Sequence, residues 1–220
     1  NGFQIITGDA ARAAAEYAAK TAYKETDAAT YQAMEALVHN LNTMNSRAGA
    51  QVPFSSLNYG TDTSPEGRMA VHNLLRATEA GLGDGETPIF PVQIFKVKEG
   101  VNYNEGDPNY DLFRHALRCS AKRLFPNFSF LDAPFNLQYY KPGDYNTEVA
   151  YMGCRTRVMG NVFDNTKEVT CGRGNLSFTS INLPRIAIKA KGDIGWFFEE
   201  LERLCNLVHD QLLERLEIIS

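Results

Sequence analysis

The run Pro88-Ile-Phe-Pro-Val-Gln-Ile-Phe-Lys-Val97 constrains the fold more than any other stretch. It is rich in β-branched and aromatic residues and is apolar at nearly every position. That pattern suits a strand buried on both faces, as in a parallel sheet covered by helices. Helical patterns flank it. Ser64-Pro65-Glu66 offers a cap, a proline for the first turn and an acid at the positive end of a helix. Met69, Val71, Leu74, Leu75 and Thr78 continue that helix, and Gly81, Gly83 and Gly85 end it. Asp107-Pro108 opens another helix through Phe113, Leu117, Ala121 and Leu124, followed by a short strand from Phe128 to Leu131.

The flanks extend the alternation. Asp9 can cap an Ala-rich helix running to about Lys24, since alanine has the best helix propensity. A second helix is expected from Thr30 to Asn42, with Tyr31, Met34, Leu37, Val38 and Leu41 on one apolar face. Arg47 to Tyr59 reads as a strand of mixed polarity, with Val52, Phe54, Ser56 and Asn58 alternating with Pro53, Ser55, Leu57 and Tyr59. Its polar face lines something wet or catalytic, or else the strand lies at a sheet edge. Residues 132–150 form a long polar loop, of the length that often carries function. Leu176 to Lys189 is expected to be a strand interrupted by Pro184. Asp193 then caps a long helix with Trp196, Phe197, Leu201, Leu204, Val208 and Leu212 on its inner stripe. Strand, helix, strand, helix, strand, loop, strand, helix is an α/β order with parallel strands.

Composition narrows the function classes. The 220 residues, 44% of them hydrophobic, suffice for one large domain or two small ones. A net charge of −4 leaves no basic footprint for nucleic acid. No signal peptide or long apolar run is visible, which argues for a cytoplasmic protein rather than an exported or membrane one. Cys119, Cys154, Cys171 and Cys205 show neither a C-x-x-C nor a zinc-like Cys/His spacing, so reduced thiols are expected and no metal is assigned. Cys119 and Cys205 fall in helices, where packing is their default role. Asn127-Phe128-Ser129 and Asn175-Leu176-Ser177 are chance matches to a glycosylation pattern. The chain starts at Asn1 without Met, and a helical pattern still runs at Ser220, so it reads as a piece of a longer polypeptide.

The chemistry-bearing motifs are few. Cys154 sits in Tyr151-Met152-Gly153-Cys154-Arg155-Thr156, a thiol on a Gly-preceded turn. Gly172-Arg173-Gly174-Asn175 offers backbone amides and a carboxamide beside glycines that admit a close ligand. Together they suggest a reactive cysteine with a hydrogen-bonding partner; alone, Cys154 would be an ordinary loop cysteine, since reactivity depends on environment. Residues 42–61 are dense in small and hydrogen-bonding side chains. Arg47 and the neighbouring hydroxyls can hold phosphate oxygens, and the helix starting near Ser64 adds a positive dipole end. Gly81 to Gly85 lacks the lysine and spacing of a nucleotide loop. His39, His72, His115 and His209 are dispersed, no Gly-x-Ser-x-Gly exists, and Glu199-Glu200 and the Asp62/Glu66 pair read as solvated helix residues.

Four ordered motifs then resemble one family. Asn42-Thr-Met-Asn-Ser-Arg-Ala-Gly-Ala-Gln-Val-Pro-Phe-Ser-Ser-Leu-Asn-Tyr-Gly-Thr-Asp-Thr63, Asn109-Tyr110-Asp111-Leu112-Phe113-Arg114, Met152-Gly153-Cys154-Arg155-Thr156, and Gly172-Arg173-Gly174-Asn175 with the stretch to Pro184 resemble the anaerobic, oxygen-sensitive class III ribonucleoside-triphosphate reductases. The similarity covers about residues 30–215. It implies part of a ten-stranded α/β barrel with a central cysteine finger loop, within one catalytic barrel domain. Residues 1–42 would form a helical interface or effector region, and residues 43–220 the barrel strands, helices and finger loop. It implies that Cys154 becomes a thiyl radical that abstracts the ribose 3′ hydrogen, with the active-site asparagine at Asn175. Ser46, Arg47, Gln51, Ser55, Ser56 and Gly174 are the expected substrate-binding residues.

The resemblance also implies a glycyl radical on a glycine outside this chain, formate or a dithiol protein as reductant, and zinc held by a C-terminal region beyond residue 220. The expected partners are ribonucleoside triphosphates, ATP and dNTP effectors, a radical-SAM iron–sulfur activating enzyme and a second copy in a homodimer. The family's second active-site cysteine falls upstream of Asn1, and that role is not given to Cys171. The 220-residue piece alone is therefore expected to be inactive. Another glycyl-radical enzyme, or a non-catalytic nucleotide-binding or dimerisation module, are the alternatives; the Ser-Arg-x-Gly-x-Gln segment disfavours the first.

Overall fold

A computed structural model describes residues 8–45, 51–138, 140–153, 156–158, 164 and 177–219. Three parallel strands form its centre: β1 (Ser56–Tyr59), β2 (Val92–Val97) and β3 (Asn127–Phe130), in that order across the sheet. Helices α1 (Asp9–Thr43), α2 (Pro65–Ala80) and α3 (Tyr110–Arg123) precede each strand in turn. This is the α/β architecture read from the sequence, with β2 as the buried central strand.

The helix starts follow their residues. The Ser64 hydroxyl accepts from the Gly67 amide at 3.1 Å, with Pro65 in the first turn of α2. Gly81, at φ +86°, ends the helix. Alternation along each strand then divides the sheet into two faces. Phe95 and Val97 pack with Val71 and Leu75 of α2 and with Leu112, Ala116 and Cys119 of α3. Tyr59, Phe113 and Phe128 close the aromatic contacts around Phe95, which is fully buried. Both crossover helices therefore cover one face, leaving the other for a different partner.

Polar groups on the helix face are paired. The Tyr59 hydroxyl donates to Gln93 Oε1 at 2.6 Å, Gln93 Nε2 donates to the Thr78 hydroxyl at 2.8 Å, and that hydroxyl donates to the Leu74 carbonyl. Burial holds the Tyr59 phenol well above its ordinary pKa, so it stays a donor. Beyond the C-terminal end of β1, the buried Asn102 and Asn109 amides both donate to the Gly60 carbonyl, and Arg68 joins Asn109, Asp111 and the Pro108 carbonyl. Arg68 at 2.8 Å outweighs partial burial and holds the Asp111 carboxyl below the usual range.

Two expectations are corrected. The Ala-rich run and the Thr30–Asn42 pattern form one helix of 35 residues, α1, because no Gly or Pro interrupts residues 24–30. Gly8 occupies its cap position and Asp9 is its first helical residue. The expected Leu176–Lys189 strand is instead an irregular lead-in over 177–182 followed by a helix, α4 (Leu183–Ala190). Pro184, expected to interrupt a strand, sits in the first helical turn, where its missing N–H costs nothing, and Asn182 caps the helix by accepting from the Arg185 amide.

The chain divides into two compact units, residues 1–171 and 172–220. The second contains α4 and α5 (Ile194–Ile219). Asp193 caps α5 by accepting from the Trp196 amide at 3.0 Å, and Phe197, Leu201, Leu204, Val208 and Leu212 line its half-buried side.

Candidate active site

The face of the sheet turned away from the helices carries Ser56 and Asn58 of β1, Val92, Ile94 and Lys96 of β2, and Asn127 and Ser129 of β3. The register places Ser56 beside Val92, Asn58 beside Ile94, Ile94 beside Asn127, and Lys96 beside Ser129. Four of these seven side chains are polar, one is charged and two are apolar, and Ser56 and Asn58 account for the polar half of the alternation read toward Tyr59. The Ser129 hydroxyl is buried with no hydrogen-bond partner among the described residues.

An antiparallel hairpin lies against this face. Its strands are β4 (Ala150–Met152) and β5 (Thr156–Val158), with Ala150 opposite Val158 and Met152 opposite Thr156. Asn58 grips it at two points: Nδ2 donates to the Tyr151 carbonyl at 2.7 Å, and the Tyr151 amide donates to Oδ1 at 2.8 Å. The Gly153 amide donates to the Ser56 hydroxyl at 3.2 Å. At the stem, Lys96 Nζ meets Glu148 Oε1 at 2.6 Å, with both side chains largely buried. Gly153 has φ +63°, and a Cβ there would stand 3.1 Å from the Phe54 ring. Both the left-handed φ and the close Phe54 ring favour glycine at this turn.

Of the expected substrate-binding residues, Ser56 touches the hairpin and Ser55 is bonded elsewhere. Ser56 accepts from Gly153 and keeps its own hydroxyl hydrogen for another acceptor. Ser55 instead turns its hydroxyl toward the Pro53 carbonyl at 3.4 Å, while Gln51 is exposed on the approach to β1. Cys154, Asn175, Ser46, Arg47 and Gly174 lie outside the described residues, as does Cys171. Cys119 is buried, and its thiol is pushed up to about 11 by that burial, so it is a packing residue as expected, whereas Cys205, expected to pack in the same way, is exposed on α5. Among the described residues no three His, Cys, Asp or Glu side chains cluster to hold a metal, and no helix is long and apolar enough to cross a membrane.

Asn58, Lys96, Glu148 and Ser129 were not singled out from the sequence. For Asn58 the signal was present: it alternates with Ser56 on one strand face. Lys96 was hidden inside an apolar run, and Glu148 in a loop 52 residues away.

Comparison with known proteins bears on this arrangement. The family model of the anaerobic ribonucleoside-triphosphate reductases matches residues 7–220. The reductase of that name from Escherichia coli K12 is 35% identical over 187 residues, covering 84% of this chain and 25% of the relative. That of Salmonella typhimurium is 35% identical over 196 residues, covering 89% of this chain and 26% of the relative. That of Enterobacteria phage T4 is 36% identical over 192 residues, covering 87% and 30%. The chain spans about a quarter to a third of the length of these relatives. With nearly its full length matched by the family model, this chain belongs to the anaerobic ribonucleoside-triphosphate reductase family.

Proposed function

We propose that this chain is part of the catalytic body of an enzyme that reduces ribonucleoside triphosphates to 2′-deoxyribonucleoside triphosphates by radical chemistry. The observation that carries the reading is the hairpin held against the polar face of a parallel sheet, ending at Gly153 beside Cys154. The sheet, with helices on one face and a docked hairpin on the other, is consistent with one wall of the family's ten-stranded barrel, and the hairpin with the stem of its finger loop.

In this reading Cys154 is the hydrogen-abstracting residue. The Cys154 thiol would give its hydrogen atom to a glycyl radical on a glycine outside this chain, so that the S–H bond breaks, a Cα–H bond forms and the unpaired electron passes to the sulfur. The Cys154 sulfur takes one hydrogen atom from ribose C3′, so an S–H bond forms, the C3′–H bond breaks and the unpaired electron passes to C3′. The transfer is homolytic and needs no depressed thiol pKa. It needs contact with one C–H bond and shelter from water. Asn175 and the substrate-binding set Ser46, Arg47, Gln51, Ser55, Ser56 and Gly174 complete the site, with Arg47 suited to phosphate oxygens. Formate or a dithiol protein supplies the reducing equivalents, and a radical-SAM activating enzyme installs the radical.

The direct test is Cys154→Ser in the full-length enzyme. Deoxynucleotide formation is expected to vanish while the glycyl radical still forms by electron paramagnetic resonance. Retained reduction overturns the assignment.

Residues 1–42 are proposed as the helical interface and effector region of a homodimer. Support comes from α1, where Asp9 to Thr26 present exposed side chains except at Ala11 and Thr21.

A further inference from the structure

We propose that Asn58 is a positioning residue for Cys154, gripping the hairpin backbone so that the residue beyond Gly153 is held at one place. The inference rests on the reading of Cys154 as the hydrogen-abstracting residue.

The hairpin cannot hold itself. It has three residue pairs, and an isolated two-stranded hairpin is marginal in water. Its placement must come from what it docks on. Among the described residues three hydrogen-bonded contacts reach it from the sheet, Lys96 at the stem through Glu148, Asn58 at Tyr151, and Ser56 at Gly153, while on the other strand Arg157 donates to the Phe135 carbonyl at 2.7 Å through a long, flexible side chain. The Lys96 contact joins two flexible side-chain ends outside the hairpin strands, and the Ser56 contact is a single bond.

Asn58 differs from both. Its carboxamide offers an acceptor and a donor at a fixed spacing, as a neighbouring strand would. Bonds of 2.8 and 2.7 Å to the N–H and C=O of one residue fix both the height and the tilt of β4. The platform is itself rigid, because Asn58 pairs in register with Ile94 of the buried central strand. Sites built on strands are held more tightly than sites on loops. Neighbouring side-chain types would fail for defined reasons. Asp would lose the donor and set its charge against the Tyr151 carbonyl, and Ser cannot span both groups.

Tyr151 is three residues before Cys154, so a loosened grip passes directly to the sulfur. A misplacement of about 1 Å at a reacting centre can cost about a hundredfold in rate. Substrate binding does not use this grip, so KM should hold while kcat falls.

The test uses the full-length enzyme with its radical installed, comparing wild type with Asn58→Ala and Asn58→Ser. Amide hydrogen exchange over residues 150–153 is expected to speed up in Asn58→Ala, while residues 65–80 of α2 exchange as before, showing that the fold is intact. The glycyl radical yield should be unchanged and kcat should fall by roughly a hundredfold at constant KM. Asn58→Ser, which can keep only one of the two bonds, should show the same pattern in smaller degree, and it carries the test if Asn58→Ala does not fold. Unchanged exchange at 150–153 overturns the grip. Faster exchange with unaltered kcat overturns its role in positioning. Continued turnover by Cys154→Ser, with the exchange result intact, instead overturns the reading of Cys154 and leaves the grip standing.

Discussion

His115 sits on the helix face of the sheet, away from the hairpin, and its surroundings make a pH prediction. Burial on α3 pushes its pKa below the ordinary 6.5, and Arg118 and His72 act in the same direction. Glu79, with Oε2 at 3.2 Å, opposes them without prevailing. Burial also works against the Glu79 charge, but hydrogen bonds from Arg118 and His115 outweigh it and keep that carboxyl below its usual range. Because the folded pKa of His115 lies below the unfolded one, the unfolded chain binds more protons as pH falls through about 6.5. The stability from neutral His115 is complete above that pH and is lost below it. The Glu79 contribution is lost only at lower pH, below its ordinary 4.5. Urea unfolding midpoints should therefore decline between about pH 7 and about pH 5.5, and His115→Gln should flatten that part of the profile. A profile with the same slope in the variant would count against this account.

Between elements, the pair joining β2 to the residues just before the hairpin makes a second prediction. Lys96 and Glu148 are 12% and 16% exposed, so removing one partner leaves the other charge poorly solvated. Lys96→Met or Glu148→Gln should each cost about 3 kcal/mol, and the double variant much less than their sum. Additive losses in a denaturation cycle would mean that the pair contributes no coupling. The sequence shows why such a contact is hard to foresee. Strand β2 and helix α2 were legible because their signals are local: a continuous apolar run, and Ser64-Pro65 before a periodic stripe. Lys96 points to the opposite face from Phe95 by alternation, but nothing local names its partner 52 residues on. Local cues also misled at Pro184, since proline breaks a strand and starts a helix equally well.

At the scale of the whole molecule, the sheet separates two tasks. One face, built on Phe95 and the two crossover helices, provides the core, and the other receives the hairpin. The polar alternation at Ser56 and Asn58 was readable, and β1 does lie at the edge of the described sheet, but that Asn58 and Ser56 receive a hairpin 93 and 97 residues away was not. Helix α1 raises a further question that the sheet does not answer. At 35 residues it is about 52 Å long. Tyr31, Met34 and Val38 pack it on α2, and Asn42 ties its end to the backbone of Ile89 and Phe90. Its first half has no such anchor within the described residues, and Tyr17 and Tyr23 are 74% and 63% exposed. Most helical stability in proteins comes from a packed face, which this half lacks among the described residues, and exposed tyrosines are the kind of residue that anchors interfaces. A subunit contact along this half satisfies both conditions. If the proposed homodimer forms through this half, Tyr17→Glu combined with Tyr23→Glu should shift the full-length enzyme toward monomer in sedimentation velocity, while leaving the exchange of the β2 amides unchanged. If the double variant remains as dimeric as the wild type, the exposed half of α1 is not the dimer contact.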